Sequence, residues 1–286
     1  MNRERNAART FRRTTLGVLA LLVAGSAAHA PLAASNRVQD AAPAALAPAN
    51  PKIWLGRYAE FEECLTTAKV ERSEAVPIGV TKPTRLIFAA DGPCRSALYS
   101  SQTASRDSGF LESHAHRIAA YRVDRMLGLD MVPPTIERPA LGRPGAVQLW
   151  VDNAVTYNSL KGQQSSDLDH WNRQVRRWRV FDNLIADIDR NAGNILVVRD
   201  PAQLWHLVLV DHSRAFTNTT RMVFSMERID KPFLERLKAL DKPALDAAVG
   251  KLVLDGSRSI LRRRDAIVAH FDALVKAKGE AAVITP

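Results

Sequence analysis

The sequence predicts a mixed α/β (α+β) fold, on three observations. Residues 84–151 read in the order strand, strand, helix, strand, strand. Residues 166–190 carry apolar side chains at helical spacing. Two short Val/Leu/Ile-rich runs then flank a turn at 199–202, and from Asp230 onward the chain reads as helical. Of the 286 residues, 46% are apolar, 24% charged and 6% aromatic, enough core for one large domain or two small lobes. That composition excludes a disordered chain, a collagen-like repeat and a multi-span membrane protein.

The first thirty residues predict a secretory signal peptide. Arg12 and Arg13 precede the apolar run Leu16 to Ala24, and the small residues Gly25-Ser26-Ala27-Ala28 follow. That run falls short of the roughly 20 apolar residues a membrane span needs. The paired arginines form a weak twin-arginine signal. Cleavage after Ala28 or Ala34 suits the sequence as well as cleavage after Ala30, where Pro31 follows; an uncleaved segment would instead leave a membrane anchor. Residues 31–51 are Ala/Pro-rich and read as a linker. Export would put Cys64 and Cys94 where a disulfide persists, although two buried thiols fit the sequence equally. Two cysteines make neither a disulfide scaffold nor a four-ligand zinc site.

The formal charge is +10, and residues 1–13 hold five arginines against one glutamate. The remaining +6 suits an anionic ligand but does not indicate a nucleic-acid binder.

Thr84 to Ala89 and Arg95 to Ser100 read as strands joined at Asp91-Gly92. Ser113 is a good N-cap for a helix ending at Leu127, with Ile118, Tyr121, Val123, Met126 and Leu127 as its apolar face and Gly128 as its stop. Pro133-Pro134 forces an extended exit toward strands at 135–138 and 146–151. On the helix over 166–190, Trp171, Val175, Trp178, Phe181, Leu184, Ile185 and Ile188 face inward; Arg173, Arg176, Arg177 and Arg179 form a solvated face. Asn194–Val198 and Leu204–Val210 form a buried hairpin. Ile260, Leu261, Ile267, Val268, Phe271 and Leu274 mark a last amphipathic helix.

The chemistry-bearing residues stand at the two ends of that hairpin. Asp187-Ile188-Asp189-Arg190-Asn191-Ala192-Gly193-Asn194 precede it and Val210-Asp211-His212-Ser213 follow it. Rigid strands let Asp189, Asn194 and Asp211 converge. An acid, an amide five residues on and a second acid after a hairpin is the set phosphoryl transfer needs: one carboxylate accepts the hydroxyl proton, and the other two groups hold Mg²⁺ on the phosphates.

The runs FDNLIADIDRNAGNILV and LVLVDHSRAF resemble the catalytic and metal-binding loops of atypical kinases, namely type II phosphatidylinositol 4-kinases, the four-jointed and Golgi casein kinase group, and HipA-type toxin kinases. The resemblance covers roughly residues 52–275, and its specific part is 181–216. It implies a two-lobed protein-kinase-like fold, with an N-lobe over 52–151, Gln148 to Asp152 entering the hinge, a C-lobe over 152–278 and a tail over 279–286. It implies ATP and Mg²⁺ (or Mn²⁺) as cofactors and a hydroxyl-bearing acceptor as substrate. Asp189 becomes the base, Asn194 and Asp211 the metal ligands, and Arg190 a loop-fixing or phosphate-facing cation.

Two departures bear on activity. Kinases pair a lysine on the strand before the main N-lobe helix with a glutamate on that helix. Here Ser100 occupies the lysine position, Arg117 the glutamate position, and no acid precedes Asp124 on the helix. There is no GxGxxG loop, and Gly79 in Ile78-Gly79-Val80-Thr81-Lys82 is the glycine near the first strands. Either Arg117 points inward as the phosphate-binding cation, with Lys82 or Arg95 beside it, or the chain is a pseudokinase acting as a binding module.

Other readings of these residues fare worse. An EF-hand starting at Asp187 puts its glycine one position late and Val198 where a glutamate belongs. His114 and His116 take different helix faces and make no metal pair. His212 reads as a hydrogen-bonded loop histidine. No GxSxG motif supports a hydrolase triad.

Overall fold

The computed structural model describes residues 50–77, 83–103, 111–255 and 257–286. The expected signal peptide and nearly all of the linker lie outside them, as do Gly79 and Lys82. Ala45–Pro286 make one compact unit.

Helix α1 (Tyr58–Thr67) leads into strand β1 (Val70–Ala75), followed by β2 (Thr84–Phe88) and β3 (Ser96–Ser100). Helix α2 (His114–Leu127) comes next, then β4 (Thr135–Glu137) and β5 (Ala146–Leu149). The five strands form one antiparallel sheet in the order β1-β2-β3-β5-β4. Leu86 pairs with Ala97, and Ala97 with Leu149, so one face of the sheet is continuous core. A disulfide joins Cys64 on α1 to Cys94 ahead of β3, with Cα atoms 6.1 Å apart, deciding between the two alternatives the sequence left open.

The expected strand–strand–helix–strand–strand order is present, but α1 and β1 lie outside that reading. β1 reads Val-Glu-Arg-Ser-Glu-Ala and is exposed along nearly its whole length. It is an edge strand built by pairing with β2, and its charges guard the open edge.

Ser113 caps α2 as expected, its Oγ accepting from Ala115 N at 3.1 Å, and Gly128 ends the helix at φ +55°. The buried stripe includes Ile118, Tyr121, Val123 and Leu127, and also Arg117 and Asp124.

Strand β6 (Val155–Thr156) and a 3-10 turn (Tyr157–Leu160) precede α3 (Leu168–Ile185). The helix expected to reach 190 stops at Ile185. Ala186 turns left-handed at φ +49°, and its N–H caps Asp182 O and Asn183 O. Phe216 N donates to Ile185 O at 2.6 Å, tying the end of α3 to the loop after Asp211. Ile188, expected on the apolar face, is therefore exposed.

Strands β7 (Ile195–Arg199) and β8 (Trp205–Leu209) form the expected buried hairpin, with Ile195 opposite Leu209, and β6 adds the third strand. The rest is helical: α4 (Lys231–Lys238), α5 (Lys242–Val249) and α6 (Arg258–Lys278). Residues 279–286, read as a tail, instead form helix α7 (Glu280–Val283) and strand β10 (Ile284–Thr285). β10 pairs in parallel with β9 (Ile229–Asp230), and Val283 is fully buried. Among the described residues, no helix is long and apolar enough to cross a membrane.

Candidate active site

The site is organised by Arg190, whose side chain is fully buried. Nε donates to Asp182 Oδ2 (2.9 Å), and Nη2 to Asp182 Oδ1 (3.1 Å) and Asp187 Oδ2 (2.7 Å). Nη1 donates to the carbonyls of Asn194 (3.1 Å) and Val210 (2.7 Å). All five N–H groups are thus engaged, as a buried guanidinium requires. Of the two alternatives for Arg190, the loop-fixing one matches this geometry, because no donor is left for a phosphate. One side chain thereby gathers the end of α3, the turn before β7 and the residue after β8.

Around that hub the three expected residues come together. Asp187 Oδ1 accepts from Asp189 N (3.2 Å), which fixes the turn carrying Asp189. The Asp189 side chain is 43% exposed and meets Arg214 Nη1 at 3.2 Å. Asn194 Nδ2 faces Asp189 O at 3.5 Å, and Val210 N donates to Asn194 O at 3.1 Å. Asp211, at φ +57°, turns its carboxylate back toward α2.

Arg117 does point inward. It is 2% exposed, and its Nη2 donates to Asp211 Oδ1 at 2.5 Å. Burial pushes the Asp211 carboxyl up, but Arg117 and then the Ser213 hydrogen bonds outweigh it and hold the group below the usual carboxylate range. The start of α2 clamps the same loop: Ser113 N donates to Ser213 O at 3.0 Å, and His116 Nδ1 lies 3.0 Å from that carbonyl. Ser100, at the lysine position of β3, is buried and donates to Gln102 Oε1. Arg95 is not beside Arg117's guanidinium network; it donates to Ala90 O.

Asn194 Oδ1 carries no hydrogen bond to a described residue, and Asp211 Oδ2 takes none of the side-chain hydrogen bonds that reach Oδ1. Two such oxygens are donors of the kind Mg²⁺ and Mn²⁺ take.

Sequence reasoning missed Asp182 and Glu112. Asp182 receives both arms of Arg190 and the indole N–H of Trp178. Glu112 pairs with Arg214 and accepts from Gln102. The signal available for Asp182 was its place on the inward stripe of α3, four residues after Trp178. His212 corrects an expectation: it is fully buried, and neither ring nitrogen has a hydrogen-bond partner. Burial first, then Arg190 and Arg117, hold it neutral, far below an ordinary histidine pKa. Ligand atoms of Asp182, Asp187 and His212 lie within 4.8 Å of one another. Arg190 supplies one positive charge shared by those two carboxylates.

A cavity of about 440 Å³ lined by Ile188, Thr217, Thr219, Arg221, Met222 and Val223 opens beside the residue that precedes Asp189. A hollow of similar size, about 460 Å³, is lined by Glu62, Tyr121, Arg122 and Arg125 and contains none of the candidate residues.

A five-stranded sheet with one principal helix, leading into a helical region whose hairpin has acidic ends, is a kinase-like fold. Among the solved structures it matches are hydra Fam20 with sugar (TM-score 0.59, 14% identity, covering 80% of this chain and 92% of that one) and the Golgi casein kinase with Mn/ADP bound (0.59, 14%, 80% and 78%). The Helicobacter pylori proinflammatory kinase CtkA also matches (0.51, 10%, 76% and 97%). No family model and no curated protein matches the sequence. The four-jointed and Golgi casein kinase arm of the resemblance therefore has its counterpart in three dimensions, at the level of fold.

Proposed function

We propose that this chain is an atypical kinase-like phosphotransferase that moves a phosphoryl group from Mg-ATP to a hydroxyl acceptor. The observation that carries this reading is Arg190, whose five hydrogen bonds hold the Asp189 turn, Asn194 and Val210-Asp211 in one arrangement. Asp189, half-exposed and fixed through its own N–H, takes the acceptor's proton as the hydroxyl oxygen bonds to phosphorus and the bond to the ADP oxygen breaks. Asn194 Oδ1 and Asp211 Oδ2 hold Mg²⁺ or Mn²⁺, which neutralises charge on the phosphates when bound. The Mn/ADP carried by the Golgi casein kinase structure supports that cofactor pair. Arg117 contacts phosphate, Gly79 and Lys82 belong to the nucleotide side, and the cavity beside Ile188 receives the acceptor.

The Cys64–Cys94 disulfide supports export to an oxidising compartment. Lobes over 52–151 and 152–278 fit the sheet-bearing and helix-rich parts of the chain.

A second reading, an exported pseudokinase serving as a binding module, is favoured by Ser100 in place of lysine and by the ion pair Arg117 makes with Asp211. Thermal melting with ATP, with and without Mg²⁺ or Mn²⁺, and transfer of labelled γ-phosphate separate the two. An enzyme melts higher with metal plus ATP, loses the metal-dependent part of that shift in Asp211→Ala, and loses transfer but keeps nucleotide binding in Asp189→Asn. Nucleotide binding without transfer to protein, lipid, sugar or small-molecule hydroxyls gives the pseudokinase; no shift with ATP removes the enzyme reading for this nucleotide.

A further inference from the structure

Two arginines are buried in this site, and their hydrogen bonding is opposite. Arg190 engages all five of its N–H groups. Arg117 engages one, while its Nε and Nη1 are buried with no partner. A buried guanidinium with three idle N–H groups is an unfavourable state, because water lost on burial has not been replaced. Among the described residues no acceptor is bonded to these N–H groups, and the neutral His212 ring, which feels the Arg117 charge, is unpartnered as well. Asp211 gives the same oxygen, Oδ1, to Arg117 and to Ser213. Ser100 on β3 is turned to Gln102. No acid precedes Asp124 on α2, and Asp124, seven residues further along the helix, accepts from Met131 N through Oδ1. The idle N–H groups lie on the two edges of one planar guanidinium, Nε on the edge it shares with Nη2 and Nη1 on the other, and charge-assisted hydrogen bonds to phosphate oxygens would satisfy them.

The same ion pair acts against a free metal ion. A divalent cation on Asp211 would share one carboxylate with a guanidinium already 2.5 Å from it. Two cations that close repel each other, and solvent at the partly exposed Asp211 carboxylate only weakens that repulsion. A polyphosphate brings several negative charges and removes that repulsion.

Resting on the nucleotide reading above, we infer that Arg117 stands in for the metal during nucleotide capture. The metal-free polyphosphate binds first, at the Arg117 guanidinium, and the divalent cation joins Asp211 only afterwards. The glutamate-to-arginine exchange on α2 is then a change in binding order, and a carboxylate at 117 would cancel the charge that does the work.

Isothermal titration of the full chain tests this with three probes: ATP in EDTA, ATP with Mg²⁺, and Mn²⁺ alone. The wild type should bind ATP in EDTA within about threefold of its affinity with Mg²⁺, and should not bind Mn²⁺ alone. Arg117→Met, which removes the charge but fills the space, should weaken ATP in EDTA by at least about 30-fold and gain Mn²⁺ binding to the freed Asp211. Arg117→Lys keeps the charge without the planar fork and should fall between, at about tenfold weaker; it also serves if the Met variant does not fold. Wild-type ATP binding that requires Mg²⁺ overturns the inference and leaves the nucleotide reading standing. So does Mn²⁺ binding to the unliganded wild type. No ATP binding under either condition, in protein that melts cooperatively, overturns both.

Discussion

His212 shows how much one buried ring can be asked to do. It lies against Phe181 with both nitrogens unpartnered, held neutral by burial and by the cations Arg190 and Arg117. In the unfolded chain the same imidazole takes up a proton near pH 6.5. Its contribution to stability is therefore present above that value and lost as pH falls below it, by about 1.4 kcal/mol at pH 5.5. Asp187 runs the other way. Burial pushes its carboxyl up to about 7, so the folded state holds a proton the unfolded state has released. Its contribution is present below the ordinary carboxylate range and fades as pH rises toward 7. The opposition can flatten the wild-type curve, so the useful quantity is a difference: His212→Phe should lose less stability than wild type between pH 7.5 and 5.5, by about 1.4 kcal/mol in denaturant melts. Equal losses would mean that His212 is protonated in the folded protein. At this scale Asp189, Asn194 and Asp211 were legible because their spacing is local, five residues and one hairpin. Asp182 was not, because its partner lies eight residues on, past a helix end that apolar periodicity does not reveal.

Among the elements, α2 carries the most consequence for the site. Its first turn supplies Ser113 and His116 to the Ser213 carbonyl and Arg117 to Asp211. Removing the cap with Ser113→Ala should cost about 1 kcal/mol and, for a domain of this size, lower the melting temperature by about 2–4 °C. ATP affinity should drop with it, since fraying the turn displaces Arg117; a melting change with ATP binding untouched would separate the cap from the site. The elements the sequence disclosed, β2, β3, α2, β7 and β8, bury a regular stripe or sit beside a turn residue. β1 does neither, since pairing with β2 makes it a strand. α3 stops short of 190 because Asp187 and Arg190 turn inward to each other, an interaction that helical periodicity counts as surface.

For the whole molecule, the Cys64–Cys94 link closes a loop across a sequence separation of 30 residues. Chain-entropy reasoning assigns such a crosslink about 3–4 kcal/mol of stability. Reduction, or Cys64→Ser with Cys94→Ser, should therefore lower the denaturant midpoint and, by letting the unfolded chain expand, raise the slope. A midpoint that does not move would mean the link is dispensable to the fold. The interior was foreseeable from composition, yet the closing pair of β9 with β10 was not, because it joins residues 55 positions apart through two short segments.

The same crosslink bears on how the protein is made for study. Produced in a reducing bacterial cytosol, the chain would be a mixture of bridged and thiol forms, with α1 less firmly held against the turn before β3. A weak nucleotide signal from such a sample would say more about the expression host than about Arg117 or Asp211, so material refolded with a glutathione couple, or secreted, is the preparation on which these residues should be judged.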